Sequence, residues 1–375
     1  MRKVLVNALS VTNPSGHHVL FGHLDQMAGA LQGRGRLVVL CREDMDGLRA
    51  GLGDRADWEF APAATRGWLP RALWDRAHLA SLVRKHGVCA YFTPSGIAAH
   101  GLDIPQVVFC QNPWALVSAA RRRRDAPKAW LQRRAYRRAM RVAEVMIFNS
   151  RYMQQAYRAN AGFEERRGLV VHQAAAEATR ARAAAQEPLP RKPGQIVSVS
   201  VMAPHKNAET LVRAFHAVGT LGHPEARLHL VGSWPDPAYE KKIRALVDSL
   251  GLRDAVHFAG FISRQQLDRA YAESKVFCLM SRCESFGIPA IEAQLFGTPV
   301  VSSSVCAIPE ICGEGGIFRD PDDIAGIAGA LRILIEDDRE WRHLSGLARE
   351  NAERFSWSRC SQPLVDLFAE LVGNG

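Results

Sequence analysis

Short apolar runs that alternate with stretches of helical spacing, in both halves of the chain, constrain its fold more than any other feature. Val4 to Val11, Leu37 to Cys41, Ala90 to Thr93, Gln106 to Cys110 and Val145 to Asn149 form one set. Ile196 to Val201, Arg227 to Gly232, Val256 to Ala259, Val276 to Met280 and Pro299 to Ser302 form a second. Strands that alternate with helices predict parallel sheets wrapped by helices. Between the sets, Ala174 to Gly194 is rich in Ala, Arg and Pro, and Pro188-Leu-Pro-Arg-Lys-Pro193 cannot pack as a core element. The expected organisation is therefore two α/β domains, 1–180 and 190–356, with a ligand cleft at the strand carboxyl ends. At 375 residues and 47% hydrophobic, the chain has material for two such cores.

Several classes are disfavoured. The start, Met1-Arg-Lys-Val-Leu-Val-Asn-Ala-Leu-Ser-Val11, is basic like a signal peptide, but Asn7 and Ser10 cut its apolar run. No run approaches the roughly eighteen apolar residues a membrane span needs, so no integral membrane protein is expected. The 8 cysteines are scattered without a C-x-x-C pair. They fit reduced, mostly buried thiols of a cytoplasmic protein better than a disulfide frame or zinc site. A dehydrogenase needs G-x-G-x-x-G after its first strand, whereas Asn13-Pro-Ser-Gly-His17 is followed only by Gly22.

Glu284 and Glu292 carry the strongest functional signal. Glu284 lies on a loop leaving the strand Val276 to Met280, and Glu292 on the helix Ala290 to Phe296, which Gly297-Thr-Pro299 stops. Two carboxylates around a helix N-terminus suit a ligand with hydroxyls at both ends and an anion between them, as in a nucleotide sugar. The plainer alternative is a chance pair with one glutamate favoured by the helix dipole. Lys206, after the first strand of the second set, is placed to neutralise a departing diphosphate, and its alternative is a solvated loop lysine.

With Ser281 to Ala293, Phe296-Gly-Thr-Pro-Val-Val301, Ile308-Pro-Glu310 and Gly315-Gly316, the stretch resembles the donor-binding half of the family 4 glycosyltransferases. The resemblance is strong from about Ile196 to Asp323; in the first half it rests on fold order and the Ser15-Gly16 loop. It implies the GT-B fold: two Rossmann-like domains facing a cleft, with a last helix (357–375) crossing back to the first. It implies a retaining, metal-independent hexosyltransferase without a cofactor. The donor would be a UDP- or GDP-linked hexose and the acceptor a glycan or lipid-linked glycan, as in lipopolysaccharide and other cell-surface polysaccharides. The rivals are a non-catalytic sugar-nucleotide-binding protein and an epimerase or phosphorylase of the same fold.

By that resemblance Glu292 accepts from ribose hydroxyls and Glu284 binds the transferred sugar, with Glu284 and Lys206 as catalytic candidates. Backbone N–H groups near Phe286 and Gly287, with Lys206, hold the diphosphate. Ser285 and Ile288 belong to the same donor loop, and Phe261 and Ile262 flank the base. Gly16 closes over the donor phosphates, unless Ser15-Gly16 is an ordinary turn. Two departures stand out. The family's arginine about five residues before the lysine is here Val201 or Met202, leaving His205, Arg282 or a first-domain residue to supply a second charge. The family's cleft histidine is replaced by Gln111 and Asn112, acceptor-side candidates that cannot shuttle a proton, or else a capped turn before Pro113. Retention by front-face attack or by double displacement is left open.

Two Asp-x-Asp matches, Asp44-Met-Asp46 and Asp320-Pro-Asp322, lack supporting ligands; the second suits a turn and helix cap, so no metal is expected. Arg121 to Arg124, Lys128, Arg133, Arg134, Arg137, Arg138 and Arg141 concentrate positive charge around the single acid Asp125, in a chain of net charge +10. From Ala126 the spacing predicts a helix with one basic face, on which Arg133, Arg134, Arg137 and Arg138 are candidates for docking on an anionic bilayer. A solvated face is the alternative, and nothing suggests a nucleic-acid module. The expected location is cytoplasmic, peripheral to the inner face of the plasma membrane.

Overall fold

The computed structural model describes residues 2–121, 123–187, 189–220 and 222–373. Arg122 and the Arg123 side chain from the basic run, Pro188 from the linker, and Asn374 and Gly375 from the expected last helix lie outside the described residues. The chain divides into two compact units. Met1–Leu116, Arg122–Ala174 and Ser356–Gly375 form the first, Val117–Arg121 and Ala175–Phe355 the second.

In chain order the first unit holds β1 (Arg2–Asn7), α1 (Pro14–Ala30), β2 (Gly35–Cys41), α2 (Asp46–Leu52), β3 (Ala56–Phe60), α3 (Trp68–His86), β4 (Val88–Thr93), β5 (Gln106–Cys110), α4 (Ala126–Val142), β6 (Val145–Phe148), α5 (Arg151–Ala161) and β7 (Gly168–Val170). The second holds α6 (Glu177–Ala185), β8 (Lys192–Val199), α7 (Ala208–Thr220), β9 (Arg227–Val231), α8 (Pro237–Ser249), β10 (Val256–Gly260), α9 (Arg264–Glu273), β11 (Ser274–Leu279), α10 (Ile288–Leu295), β12 (Val300–Ser303), α11 (Ile308–Cys312), β13 (Gly316–Arg319), α12 (Ile324–Glu336) and α13 (Asp338–Glu353). α14 (Trp357–Gly373) belongs to the first unit again. The division falls at Ala174/Ala175 rather than at residue 180, because α6 groups with the second unit.

Both sheets are parallel, ordered β3-β2-β1-β4-β5-β6-β7 and β10-β9-β8-β11-β12-β13. Val4, Leu5 and Val6 of β1, like Ile196 and Val197 of β8, are fully buried. Helices cover both faces of such strands, and that is why they are continuous apolar runs in sequence. β1 stops at Asn7, four residues short of the sequence expectation. There the Asn7 side chain accepts from Leu9 N at 3.1 Å and turns the chain into a short 3-10 segment. In each unit the strand order reverses beside the first strand, between β1 and β4 and between β8 and β11. These are the places where an open α/β sheet leaves a crevice. No helix among the described residues is long and apolar enough to cross a membrane.

α14 packs on α1. A Cβ on Gly22 would lie 2.3 Å from the Trp357 ring, so this glycine lets an indole seat against a helix. His23 beside it is buried, Nδ1 sharing a 2.9 Å hydrogen bond with Ser361 Oγ. The Trp357 ring meets it edge-on at 5.0 Å.

Burial, and then the nearby His18, lower the His23 imidazole from 6.5 to about 3. Between those values the unfolded chain binds the extra proton. Stability is therefore complete above about pH 6.5 and falls on acidification by at most about 1.4 kcal/mol per pH unit. His23→Phe should flatten the acid limb of urea-unfolding stability between pH 6.5 and 4 relative to wild type. Equal slopes in the two proteins would contradict this assignment.

Candidate active site

The second unit brings Lys206 and Glu284 together at the β8/β11 reversal. Lys206 ends a short 3-10 turn, Pro204–Lys206, whose cap Asn207 has φ 57°, a left-handed conformation that asparagine tolerates better than most residues. Asn207 is buried; its Nδ2 donates to Pro321 O at 2.8 Å and its Oδ1 accepts from Thr210 Oγ1 at 3.0 Å. That fixes the loop after β8. The loop after β11 is tied to it, since Arg282 N donates to His205 O at 2.8 Å, while Ala307 N donates to Glu284 O at 3.2 Å. Between the loops Lys206 Nζ donates to Glu284 Oε1, which also accepts from Ser281 Oγ at 3.2 Å. Both side chains are largely buried.

α10 begins two residues earlier than its sequence pattern suggests, with Pro289 in the first turn. Its cap Gly287 has φ 109°, and a Cβ there would lie 2.2 Å from Ile308 Cδ1, so only glycine fits the start of this helix. Glu292, in the second turn, is 7% exposed. Arg264 Nη2 donates to its Oε1 at 2.9 Å and Tyr271 OH to its Oε2 at 3.2 Å. Sequence reasoning missed both partners. The available signal was the capping box Ser263-x-x-Gln266, which starts α9 and sets Arg264 at its first position. Phe261, in the turn before that cap, is 92% exposed, and Ile262 beside it is half-buried.

The remaining candidates divide. Ser285 and Ile288 are partly exposed near Glu284, in the loop after β11 and at the start of α10. The Phe286 side chain is instead core, 2% exposed and edge-on to Phe355 at 5.7 Å. Met202 is buried and Val201 exposed, neither being a cation. Burial, and then the adjacent Lys206, lower the His205 imidazole, so it is neutral at neutral pH, and Arg282 is paired with Asp322. Neither adds a second free charge beside Lys206. Asp44 is held by Arg42 and Arg66, and Asp323, next to the second Asp-x-Asp match, caps α12.

In the first unit, Gly16 lies in the first turn of α1 and its N–H donates to the cap Asn13 Oδ1 at 2.6 Å, committing it to the helix. Asn112 Oδ1 accepts from Trp114 N at 2.9 Å, the capped turn, and Gln111 Oε1 accepts from Gln173 Nε2 at 3.3 Å. The arginines of α4 do not form one free face. Arg133 Nε donates to Asn160 Oδ1 at 2.7 Å, Arg134 lies 4.8 Å over the Trp130 ring and Arg137 6.0 Å over Phe163. Arg138 turns inward and donates to Ala98 O and Ala99 O at 2.9 and 3.1 Å, so it is removed from the docking set.

Comparison with known proteins identifies the family and the fold. Residues 179–352 match the family model described as glycosyl transferases group 1, and residues 22–174 that of glycosyltransferase family 4. The chain is similar to O-antigen chain mannosyltransferase B of Escherichia coli, 29% identical over 181 residues, or 47% of this chain and 45% of that relative. The match thus spans less than half of the curated relative's length. Sucrose-phosphate synthase of Thermosynechococcus elongatus superposes over 100% of both chains with TM-score 0.76 at 20% identity. HepE of Anabaena, solved with UDP and glucose, superposes over 98% of this chain and 99% of that one with TM-score 0.69 at 19% identity. At these identities the structural matches establish the fold.

The Arg264–Glu292–Tyr271 contacts predict coupled stability. Tyr271→Phe leaves a buried carboxylate oxygen short of a donor, which costs about 1–3 kcal/mol. Arg264→Met removes the other donor. Urea unfolding of both single variants and the double variant should show clear non-additivity, and strictly additive losses would mean the two contacts are independent.

Proposed function

Because this chain belongs to the group 1, family 4 glycosyltransferases of the GT-B fold, we propose that it is a retaining hexosyltransferase acting from a nucleoside-diphosphate sugar onto a hydroxyl of a lipid-linked glycan. The observation that carries this reading is the junction of Lys206 and Glu284 at the carboxyl ends of β8 and β11, next to the N-terminus of α10. A diphosphate there meets helix N–H groups and one ammonium. As the glycosidic bond breaks, negative charge grows on the leaving group, and Lys206 exchanges Glu284 for phosphate oxygen to stabilise it. Glu284 is then available to the hydroxyls of the sugar. Glu292 keeps lone pairs beyond those used by Arg264 and Tyr271 and accepts from the ribose, while the exposed Phe261 ring packs against the base.

Front-face transfer suits this arrangement better than double displacement. With Glu284 given to the sugar hydroxyls and Glu292 to the ribose, neither is left as the free nucleophile that a double displacement needs. In front-face transfer the bond from the anomeric carbon to the diphosphate oxygen breaks and the bond to the acceptor oxygen forms on the same face. The acceptor's proton passes to the leaving diphosphate. The E. coli relative is named a mannosyltransferase and the Anabaena structure holds UDP and glucose, so GDP-mannose and UDP-glucose are the first donors to test. The enzyme works without a divalent metal, peripherally on an anionic cytoplasmic membrane face. A donor-binding protein without turnover is favoured by the two departures, Val201 or Met202 where the family carries an arginine and Gln111 and Asn112 in place of its cleft histidine.

Lys206→Ala should lower transfer at saturating donor by about a hundredfold, near 3 kcal/mol; a wild-type rate would remove the phosphate role, and EDTA should leave the rate unchanged. Glu292→Gln should weaken binding of both donor and free nucleotide, while Glu284→Gln should chiefly lower turnover. Equal losses of nucleotide affinity, measured by calorimetry, would end that division of roles.

A further inference from the structure

Where the strand order of the first unit reverses, between β1 and β4, a cavity of about 330 Å³ opens among Asn7, Tyr91 and Thr93 near the strand carboxyl ends. Its volume falls within the range of small-molecule sites, roughly 300–1,000 Å³. α3 gives it one wall, with Trp68, Ala72, Asp75 and Leu79 at the spacing of a single helix face. α4 gives another through Lys128, Leu131 and Ala135, and the segment from Ile97 to Ala99 a third. That third wall is what Arg138 holds, through Ala98 O and Ala99 O.

The polar groups are few and convergent. Asn7 Nδ2 donates to Asp75 Oδ1 at 3.1 Å and to Tyr91 OH at 3.0 Å, which organises the floor. Ser10 also lines the cavity, and its buried hydroxyl has no hydrogen-bond partner. Arg71, Arg76 and Lys128 line it against one acid, Asp75, so the lining favours an anion. The same two helices also expose large apolar side chains: Trp68 and Leu131 of the lining are about half exposed, and so are Leu69 and Leu73 on α3 and Trp130 on α4. Exposed apolar side chains on the helices of an apolar-walled, cation-bearing cavity match an amphiphile with an anionic head.

We infer that this cavity binds an aliphatic phosphate, the phosphate facing Arg71, Arg76 and Lys128 and the first carbons of the chain lying between α3 and α4. The inference rests on the lipid-linked acceptor reading and names the part of that acceptor which the first unit holds. Gln111 and Asn112, the acceptor candidates read from sequence, do not line this cavity.

The test is calorimetric titration of the whole chain with octyl phosphate below its micelle concentration, beside octanol and inorganic phosphate. Octyl phosphate should bind at least about tenfold more tightly than either, and Ala72→Trp or Ala135→Phe, each filling the cavity from a different helix, should weaken it by about tenfold. Lys128→Gln should weaken octyl phosphate but not octanol. Two blocking variants guard against one that fails to fold, and UDP or GDP affinity should be unchanged in both. Octyl phosphate no tighter than inorganic phosphate would make the site one for free anion, and affinity unchanged in both blocking variants would place binding elsewhere; either overturns the inference. Nucleotide binding without octyl phosphate binding sinks the cavity alone, whereas octyl phosphate binding without nucleotide binding sinks the donor reading alone.

Discussion

Two loops leave the second sheet at its reversal of strand order, and the Lys206–Glu284 contact between them is the interaction on which the proposed donor site depends. Parallel strands put their carboxyl ends on one edge, so loops after neighbouring strands meet without any contact in sequence. The remaining work is local. Asn207 accepts a left-handed backbone, Arg282 N bonds His205 O, and Ala307 N bonds Glu284 O, so lysine and carboxylate arrive in register. An ammonium already paired with a carboxylate loses little when it exchanges that partner for a diphosphate. An ammonium held in water would first have to be desolvated, at a cost of several kcal/mol.

Glu292 shows the same economy. Burial of a carboxylate is tolerated because Arg264 and Tyr271 each engage one oxygen, and that fixes its orientation before a ribose could meet it. Around the pair, Gly287 allows α10 to start beside the β11 loop and Phe286 anchors the loop from below by packing on Phe355. The Phe286 side chain thus supports, through its burial, the loop whose backbone N–H groups are the expected ligands.

What could be read from the sequence follows from burial. The central strands β1, β8 and β11, covered on both faces, are unbroken apolar runs and were visible. β3, β7 and β13 were not, and all are edge strands of three to five residues, partly exposed. The glutamate pair and Lys206 were legible because loop, helix start and strand end each leave a local signature. Tertiary partners leave none. Nothing local says that Arg138 turns inward toward Ala98 and Ala99, that Gly22 makes room for Trp357, or that Asn7, Asp75 and Tyr91 meet beneath a cavity. Those facts depend on residues tens of positions apart or more, and only the folded chain states them.

The most direct measurement of the central claim is the difference in affinity between a nucleoside diphosphate and the matching monophosphate, in wild type and in Lys206→Met. If Lys206 trades Glu284 for the second phosphate, the diphosphate binds more tightly to the wild type and most of that advantage is lost in the variant, while monophosphate affinity stays the same. A diphosphate advantage of equal size in both proteins would contradict the account.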